Sequence, residues 1–218
     1  MNIPKKMIHI WIGTKPPPTH WMQTWPEKHP GWQYMVFDDV WFHRTKFRNQ
    51  HVIDEYYRRE KYNAVADLIR YELLYDHGGF LPPADAVCLN NTDELWCEPE
   101  YKCYTVYEHE RARPHFVSPI YAANPGNVFL EIVIQKLGKV TIDQIENKKV
   151  WQVTGNEFLR WMIKQHKPEI KIFPSHYFIP KHYSAKTSRY SGPDKIYADQ
   201  MWGTTRHIYQ DAAEGYSQ

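Results

Sequence analysis

Cysteine is scarce in this chain. Three occur in 218 residues, Cys88, Cys97 and Cys103. The number is odd and no CxxC pair is present, which argues against a disulfide framework or a thiolate zinc site and favours a reduced, cytosolic chain. Charge of one sign is also lacking. A formal net charge of +2 is too small to argue for nucleic acid, so the basic residues Arg44, Lys46, Arg48, Arg58 and Arg59 read as solvated helix faces. No apolar run is long enough for a transmembrane helix. The opening MNIPKKMIHIWIG lacks the pattern of a signal peptide. The expectation is a soluble, cytoplasmic protein. Internal repeats, low-complexity tracts and linkers are absent. So are HExxH, GxSxG, the P-loop and GxGxxG, which removes the common zinc-protease, hydrolase, NTPase and dinucleotide readings. The twelve histidines are scattered; His9, His20 and His29 read as surface or hydrogen-bonded core residues rather than zinc ligands.

What the chain does have is apolar and aromatic mass. Apolar residues make up 42% and charged residues 24%, the balance of a globular protein rather than a disordered one. The length fits one domain over residues 1–218. Nine Trp, sixteen Tyr and nine Phe suit flat ligands such as sugars or bases, although core packing accounts for most of them.

Along the chain, residues 6–12 form an apolar run read as the first strand, and three prolines make a loop of residues 14–18. Residues 19–28 read as a short helix, 32–37 as the second strand and 42–59 as helix in two pieces. Further on, 101–107 alternates like a strand, 108–114 is a charged loop and 117–122 is strand-like. Residues 128–137 and 157–165 read as helices, with 170–173 a strand between helix and tail. The Ser-, Thr- and Lys-rich segment 184–218 reads as mobile. Strands alternating with helices predict an α/β sheet covered on both faces.

The segment of most interest is residues 61–89, KYNAVADLIRYELLYDHGGFLPPADAVCL. Val65, Leu68, Ile69 and Leu73 follow helical spacing, and Asp67 and Arg70 lie one turn apart beside that apolar face. Gly78-Gly79 ends the helix in the left-handed conformation of a C-terminal cap. Asp85 then precedes a short apolar strand. A carboxylate at a strand end, beside a helix bearing Asp and Arg, suits a metal and an anionic ligand. By spacing alone, Asp67 and Arg70 equally make an intrahelical pair worth about 0.3–0.5 kcal/mol.

Ala66-Asp67-Leu68-Ile69-Arg70-Tyr71 with Gly78-Gly79 resembles the signature of the DxD-containing sugar transferases of glycosyltransferase family thirty-two. The DxD triplet itself reads Pro83-Ala84-Asp85, so the first Asp is missing and the second is kept, and Leu81 stands where a Tyr is usual. The likeness extends to residues 121–126, 154–155 and 172–180. It implies a single GT-A domain, a Rossmann-like α/β unit with a mixed central sheet and helices on both faces. It further implies a retaining, metal-assisted transfer of sugar from UDP- or GDP-sugar to a hydroxyl of a glycan or lipid-linked acceptor. In that reading Asp67 and Arg70 hold the donor sugar, and Asp85 binds Mn2+ or Mg2+. Gln200 stands where the family has a His that approaches the ion. Trp11 stacks on the base, and Gly13 lets the ligand approach the backbone. Ala84, Thr154, Gly155, Asn156 and Trp202 line the donor. The altered positions Pro83 and Gln200 also motivate an alternative: an inactive relative that binds nucleotide or glycan, or serves as a scaffold.

Overall fold

A computed structural model describes residues 3–184 and 187–206. In chain order, β1 (Lys6–Ile10), α1 (Thr19–Lys28) and β2 (Gln33–Phe37) are followed by α2 (Asp39–Arg44), α3 (Gln50–Arg58) and α4 (Tyr62–His77). Then come β3 (Gly79–Phe80), β4 (Ala86–Cys88), a 3-10 turn at Asp93–Trp96, β5 (Cys103–His109), β6 (Arg113–Val117) and β7 (Ala122–Ala123). The last part holds α5 (Val128–Leu137), α6 (Ile142–Asn147), α7 (Val150–Val153), α8 (Asn156–His166), β8 (Lys171–Phe173), β9 (Ala198–Gln200) and α9 (Gly203–Arg206).

The main sheet runs β2-β1-β3-β7-β5-β6, with β8 also paired to β5. β1 is parallel to β2 and β3, β8 is parallel to β5, and the β3–β7, β5–β7 and β5–β6 pairs are antiparallel. A second, two-stranded sheet joins β4 to β9. This is the mixed α/β architecture expected, with helices on both faces. The strand period of two assigns the faces of β1. Ile8 and Ile10 join the core built by α3, α4, α5 and α8. Met7 joins the other core with Trp25 of α1, Phe80 and the β4–β9 pair, and His9 lies on that same side against Trp25.

Local chemistry explains several helix starts. The Asp38 side chain accepts from the amides of Val40 and Trp41, and Asn127 does the same for Phe129 and Leu130. Helix α3 is started from a distance. The two amides just before it are met by Glu72 of α4, a buried carboxylate that accepts from Arg48 N at 2.6 Å and from the N-cap Asn49 N at 3.0 Å. A buried anion at a helix N-terminus is favourable because the free amides there carry partial positive charge.

The double glycine behaves differently from a left-handed cap. Gly78 has φ +61 and ψ −169, an extended backbone of positive φ, and Gly79 has φ +104. The reason is crowding. A Cβ on Gly78 would lie 2.5 Å from the Pro125 ring, and one on Gly79 would lie 2.5 Å from the Lys6 carbonyl oxygen. The chain leaves α4 and enters the sheet between β1 and residues 123–125 with no room for side chains.

Other boundaries also move. The first strand stops at Ile10 rather than at residue 12. The charged loop of residues 108–114 is a tight hairpin, because β5 continues to His109 and β6 begins at Arg113. Two helices, α6 and α7, fill a stretch where sequence periodicity gave none. Part of the segment read as mobile is strand: β9 pairs with β4 through Ala86↔Gln200 and Cys88↔Ala198. Residues 185–186 and 207–218 of that segment lie outside the described residues. Among the described residues no helix is long and apolar enough to cross a membrane.

Gly79→Ala should lower stability by roughly 1–3 kcal/mol, seen as a lower urea midpoint. Gly31→Ala is the comparison, since Gly31 also has positive φ but nothing within 4 Å of a built Cβ. It should cost less, the difference measuring the crowding against Lys6.

Candidate active site

Besides Glu72, helix α4 directs Asp67 and Arg70 inward. Arg70 is 9% exposed, and its guanidinium donates to the carbonyl oxygens of Leu81 and, at 3.4 Å, Ile120. Pro82-Pro83 follows Leu81 and supplies no amide donors, so the carbonyl before it gains its partner from the arginine. Asp67, one turn earlier, accepts the Thr154 hydroxyl at 2.9 Å on Oδ2. Thr154 is buried, and its carbonyl accepts the Tyr71 hydroxyl at 3.2 Å. A Cβ on Gly155 would sit 3.0 Å from Trp151 Cα and 3.3 Å from Asp67 Oδ2, so the Thr154-Gly155 junction lies directly against the carboxylate.

Asp67 and Arg70 therefore share a neighbourhood, but each has a different hydrogen-bond partner. Burial lifts the Asp67 carboxyl to about 6, against the Thr154 hydrogen bond and the Arg70 charge, which both pull it down. Burial likewise lowers the Arg70 guanidinium, opposed by Asp67, Tyr121, Tyr71 and Asp85. Tyr121, close to both Arg70 and Asp85, is buried and its hydroxyl is pushed up by that burial. One electrostatic neighbourhood thus holds Asp67, Arg70, Tyr121 and Asp85.

Asp85 arrives there from a turn, in which Ala86 N donates to Pro83 O at 3.3 Å. Ala84 is the half-buried centre of that turn. The β4–β9 register places Gln200 opposite Ala86, and its Nε2 donates to Asp85 Oδ1 at 2.7 Å. The amide of Gly203 donates to Asp85 Oδ2 at 3.0 Å, and Met201 N donates to the Asp85 carbonyl at 2.8 Å. Among the described residues no group of three His, Cys, Asp or Glu side chains gathers as a cation cluster. One carboxylate suits a magnesium-type ion that takes its remaining oxygens from phosphates and water, and does not suit structural zinc. Gln200 presents an NH2 to Asp85 in this arrangement, so a ligand role requires its amide to turn over and offer Oε1.

Trp11 and Gly13 lie beyond the C-terminal end of β1, next to that of β2, where open α/β sheets form their binding crevice. The Trp11 indole donates to Lys15 O at 2.7 Å. Gly13 has φ +111, and its amide donates to Asp39 at 3.1 Å. A Cβ there would be 2.5 Å from the Tyr62 ring, so the absent side chain makes room for Tyr62. Tyr62 begins α4 and so links this corner to Asp67. Trp202 is half-buried with φ +61; its indole donates to Lys181 O at 2.9 Å and its ring lies 5.2 Å from that of His182. Asn156 points elsewhere, donating to Glu108 at 2.5 Å.

Two residues escaped the sequence reading, and a third, His9, is the hydrogen-bonded core residue expected. Glu108 and His182 are both buried and meet at 3.0 Å. His9 is buried in β1; its Nδ1 meets the Tyr34 hydroxyl at 3.1 Å, and its Nε2 has no hydrogen-bond partner among the described residues. Burial, then the Arg70 charge, pushes His9 down to about 3. The signal for Glu108 was the strand alternation itself. Tyr104, Val106 and Glu108 are successive inward positions once β5 is extended to His109.

Residues 19–102 match a family described as "Glycosyltransferase sugar-binding region containing DXD motif". That span includes Asp67, Arg70 and Asp85 but neither Trp11 nor Thr154. A solved structure titled "PaToxG Glycosyltransferase" shares the fold with a TM-score of 0.58 at 17% identity, covering 75% of this chain and 69% of that one. The search of curated proteins returned no match. The matched span supports glycosyl transfer in general, and the solved structure supports the fold.

The raised Asp67 carboxyl has a defined sign. Between its unfolded value near 3.8 and about 6, the folded state binds more protons, so stability from this group falls as pH rises through that window. His9, held down to about 3, acts oppositely, adding stability as pH rises from about 3 to 6.5. Asp67→Asn isolates the first effect. Urea unfolding from pH 4 to 7 should show the variant gaining stability relative to wild type as pH rises.

Proposed function

We propose that this chain, read as one nucleotide-binding unit, is a retaining glycosyltransferase that moves a sugar from UDP- or GDP-sugar to a hydroxyl of a glycan or lipid-linked acceptor. The observation that carries the proposal is the convergence of Asp67, Arg70 and Asp85, from two elements of the matched span, on one partly buried site closed by Thr154-Gly155 and residues 200–203.

The chemistry follows from charge. Loss of a nucleoside diphosphate leaves negative charge on phosphate oxygens, and a site that lowers the barrier must meet that charge as it forms. A Mn2+ or Mg2+ ion bound there supplies that neutralisation. Asp85 is the carboxylate to hold it, and Gln200 is its neighbour. Arg70 adds fixed positive charge beside Asp85 while its donors brace the backbone. Asp67, with one oxygen on Thr154, has acceptor capacity for sugar hydroxyls. Trp11 and Asp39 flank the crevice that takes the base and ribose. In a retaining reaction with front-face attack, the departing phosphate accepts the acceptor's proton, so no side chain needs to serve as the base.

A second reading has a specific observation behind it. Both Asp85 oxygens already accept hydrogen bonds, from Gln200 and Gly203, and Pro83 stands in the other acidic position. Such a site suits a non-catalytic relative that binds nucleotide or glycan without an ion.

Incubation with Mn2+ and a panel of nucleotide sugars should release free nucleotide, and Asp85→Ala should reduce the rate by roughly a hundredfold or more. Calorimetry should show nucleotide binding that needs the ion and is lost in that variant. Binding indifferent to both the ion and Asp85, with no turnover on any donor, would establish the second reading instead.

A further inference from the structure

Glu108 is a carboxylate that neither the matched span nor the site chemistry assigns. It is 2% exposed and projects inward from β5, a strand of the central sheet. Three donors meet it: His182 Nε2 at 3.0 Å, Asn156 Nδ2 at 2.5 Å and Arg113 at 3.4 Å. Burying a carboxylate is costly unless it is fully partnered, and these partners come from three different parts of the chain.

Each of two partners leads to one of the acidic residues of the candidate site. Asn156 opens α8, two residues after Thr154, whose hydroxyl binds Asp67 at 2.9 Å. His182 packs its ring 5.2 Å from that of Trp202, and the next amide, Gly203, donates to Asp85 at 3.0 Å. Trp202 is further fastened to the His182 segment by its bond to Lys181 O at 2.9 Å. The limb that carries Trp202 and Gly203 also forms a wall of a cleft of about 850 Å3 lined by His109, Glu110, Ser175, His176, Arg189 and Tyr190. His109, the neighbour of Glu108 in β5, lies 5.5 Å from the His182 ring at the edge of that cleft.

We infer that Glu108 is a positioning residue for the transfer reaction: its carboxylate ties the limb of residues 181–184 and 187–203 and the start of α8 to the central sheet, and so holds Asp85 and Asp67 in register. This rests on the glycosyl-transfer reading for its role in turnover, while the tie itself does not. The chemistry of the tie is specific to a carboxylate. His182 Nδ1 accepts the Ser184 amide at 3.2 Å, so Nε2 must carry the proton that faces Glu108. An amide at position 108 would turn an NH2 toward at least one donor, which Asn156 could meet by flipping its own amide and His182 could not. It would also remove the charge that strengthens the His182 and Arg113 contacts. His182 cannot relieve the clash by moving its proton, because Nδ1 already faces an N–H.

The test uses the full chain and three variants, Glu108→Gln, Glu108→Asp and His182→Phe. Limited trypsin digestion reads the limb through cleavage at Lys181, Arg189 and Lys195, with the exposed Lys148-Lys149 pair as an internal reference. Glu108→Gln should speed limb cleavage by about tenfold or more relative to the reference, the scale expected when hydrogen bonds to a charged group are lost. Glu108→Asp should restore part of the protection. His182→Phe keeps a ring against Trp202 and loses the hydrogen bond, so it should expose the limb even if Glu108→Gln fails to fold. In turnover assays Glu108→Gln should lower kcat and raise the nucleotide-sugar KM, because Asp67 and Asp85 both act on the donor in the proposed reaction, and Glu108→Asp should restore part of both. Unchanged limb cleavage in both Glu108→Gln and His182→Phe would overturn the inference. So would an exposed limb with wild-type kcat. Faster limb cleavage in a protein whose wild type releases no nucleotide from any donor would uphold the tie and defeat the transfer reading.

Discussion

A guanidinium removed from water must find acceptors inside the protein, and Arg70 finds them in two backbone carbonyls. Those of Leu81 and Ile120 belong to segments already joined by the Leu81 N to Tyr121 O bond at 2.7 Å and the β3–β7 pair, and the arginine adds α4 to that junction just before Pro82-Pro83 ends the strand. The arginine fastens the long helix α4 to the place where the chain passes from the main sheet to the small β4–β9 sheet. It also sets the local field. Asp67, Tyr121, Asp85 and His9 all lie within its influence. Without this buried cation the turn that carries Asp85 has no anchor on the helix that carries Asp67.

Around that anchor the site is assembled by contacts remote in sequence. Asp67 meets Thr154, and Asp85 meets Gln200 and Gly203. The two acidic side chains are thus braced from outside the residues that carry them. The same bracing gives Asp85 a dual character. Its hydrogen bonds pre-orient the carboxylate, yet a cation has to share or displace them. Gln200, whose amide can present either end, is the residue at which these two demands meet.

Much of this was legible in the sequence. The α4 pattern, the double glycine and the short apolar strand after it depend on local rules: helical spacing, backbone freedom and apolar runs. The limits of α1 and α5 follow from the same rules, and so does the α/β class. The rest was set by tertiary structure. β9 is Ala-Asp-Gln, with no apolar alternation of its own, and is a strand because β4 offers an edge. Nothing local to Gly13 shows that Tyr62, forty-nine residues on, fills the space beside it. Arg70 and Asp67 look like an exposed pair by spacing, whereas burial gives each its own partner. Glu108 was hidden because the strand continues two residues past its last aromatic.

The β4–β9 pair carries a consequence for biogenesis. Residues 86–88 have no strand partner until residues 198–200 arrive, more than a hundred positions later. During synthesis the parallel β1–β2–β3 core and α4 can form while Asp85 waits with its acceptors open to solvent. Chain segments joined at such separation close late and slowly. The nascent protein therefore passes through a stage in which the scaffold exists and Asp85 lacks its Gln200 and Gly203 partners, a stage that ends only when nearly the whole of the described chain has emerged.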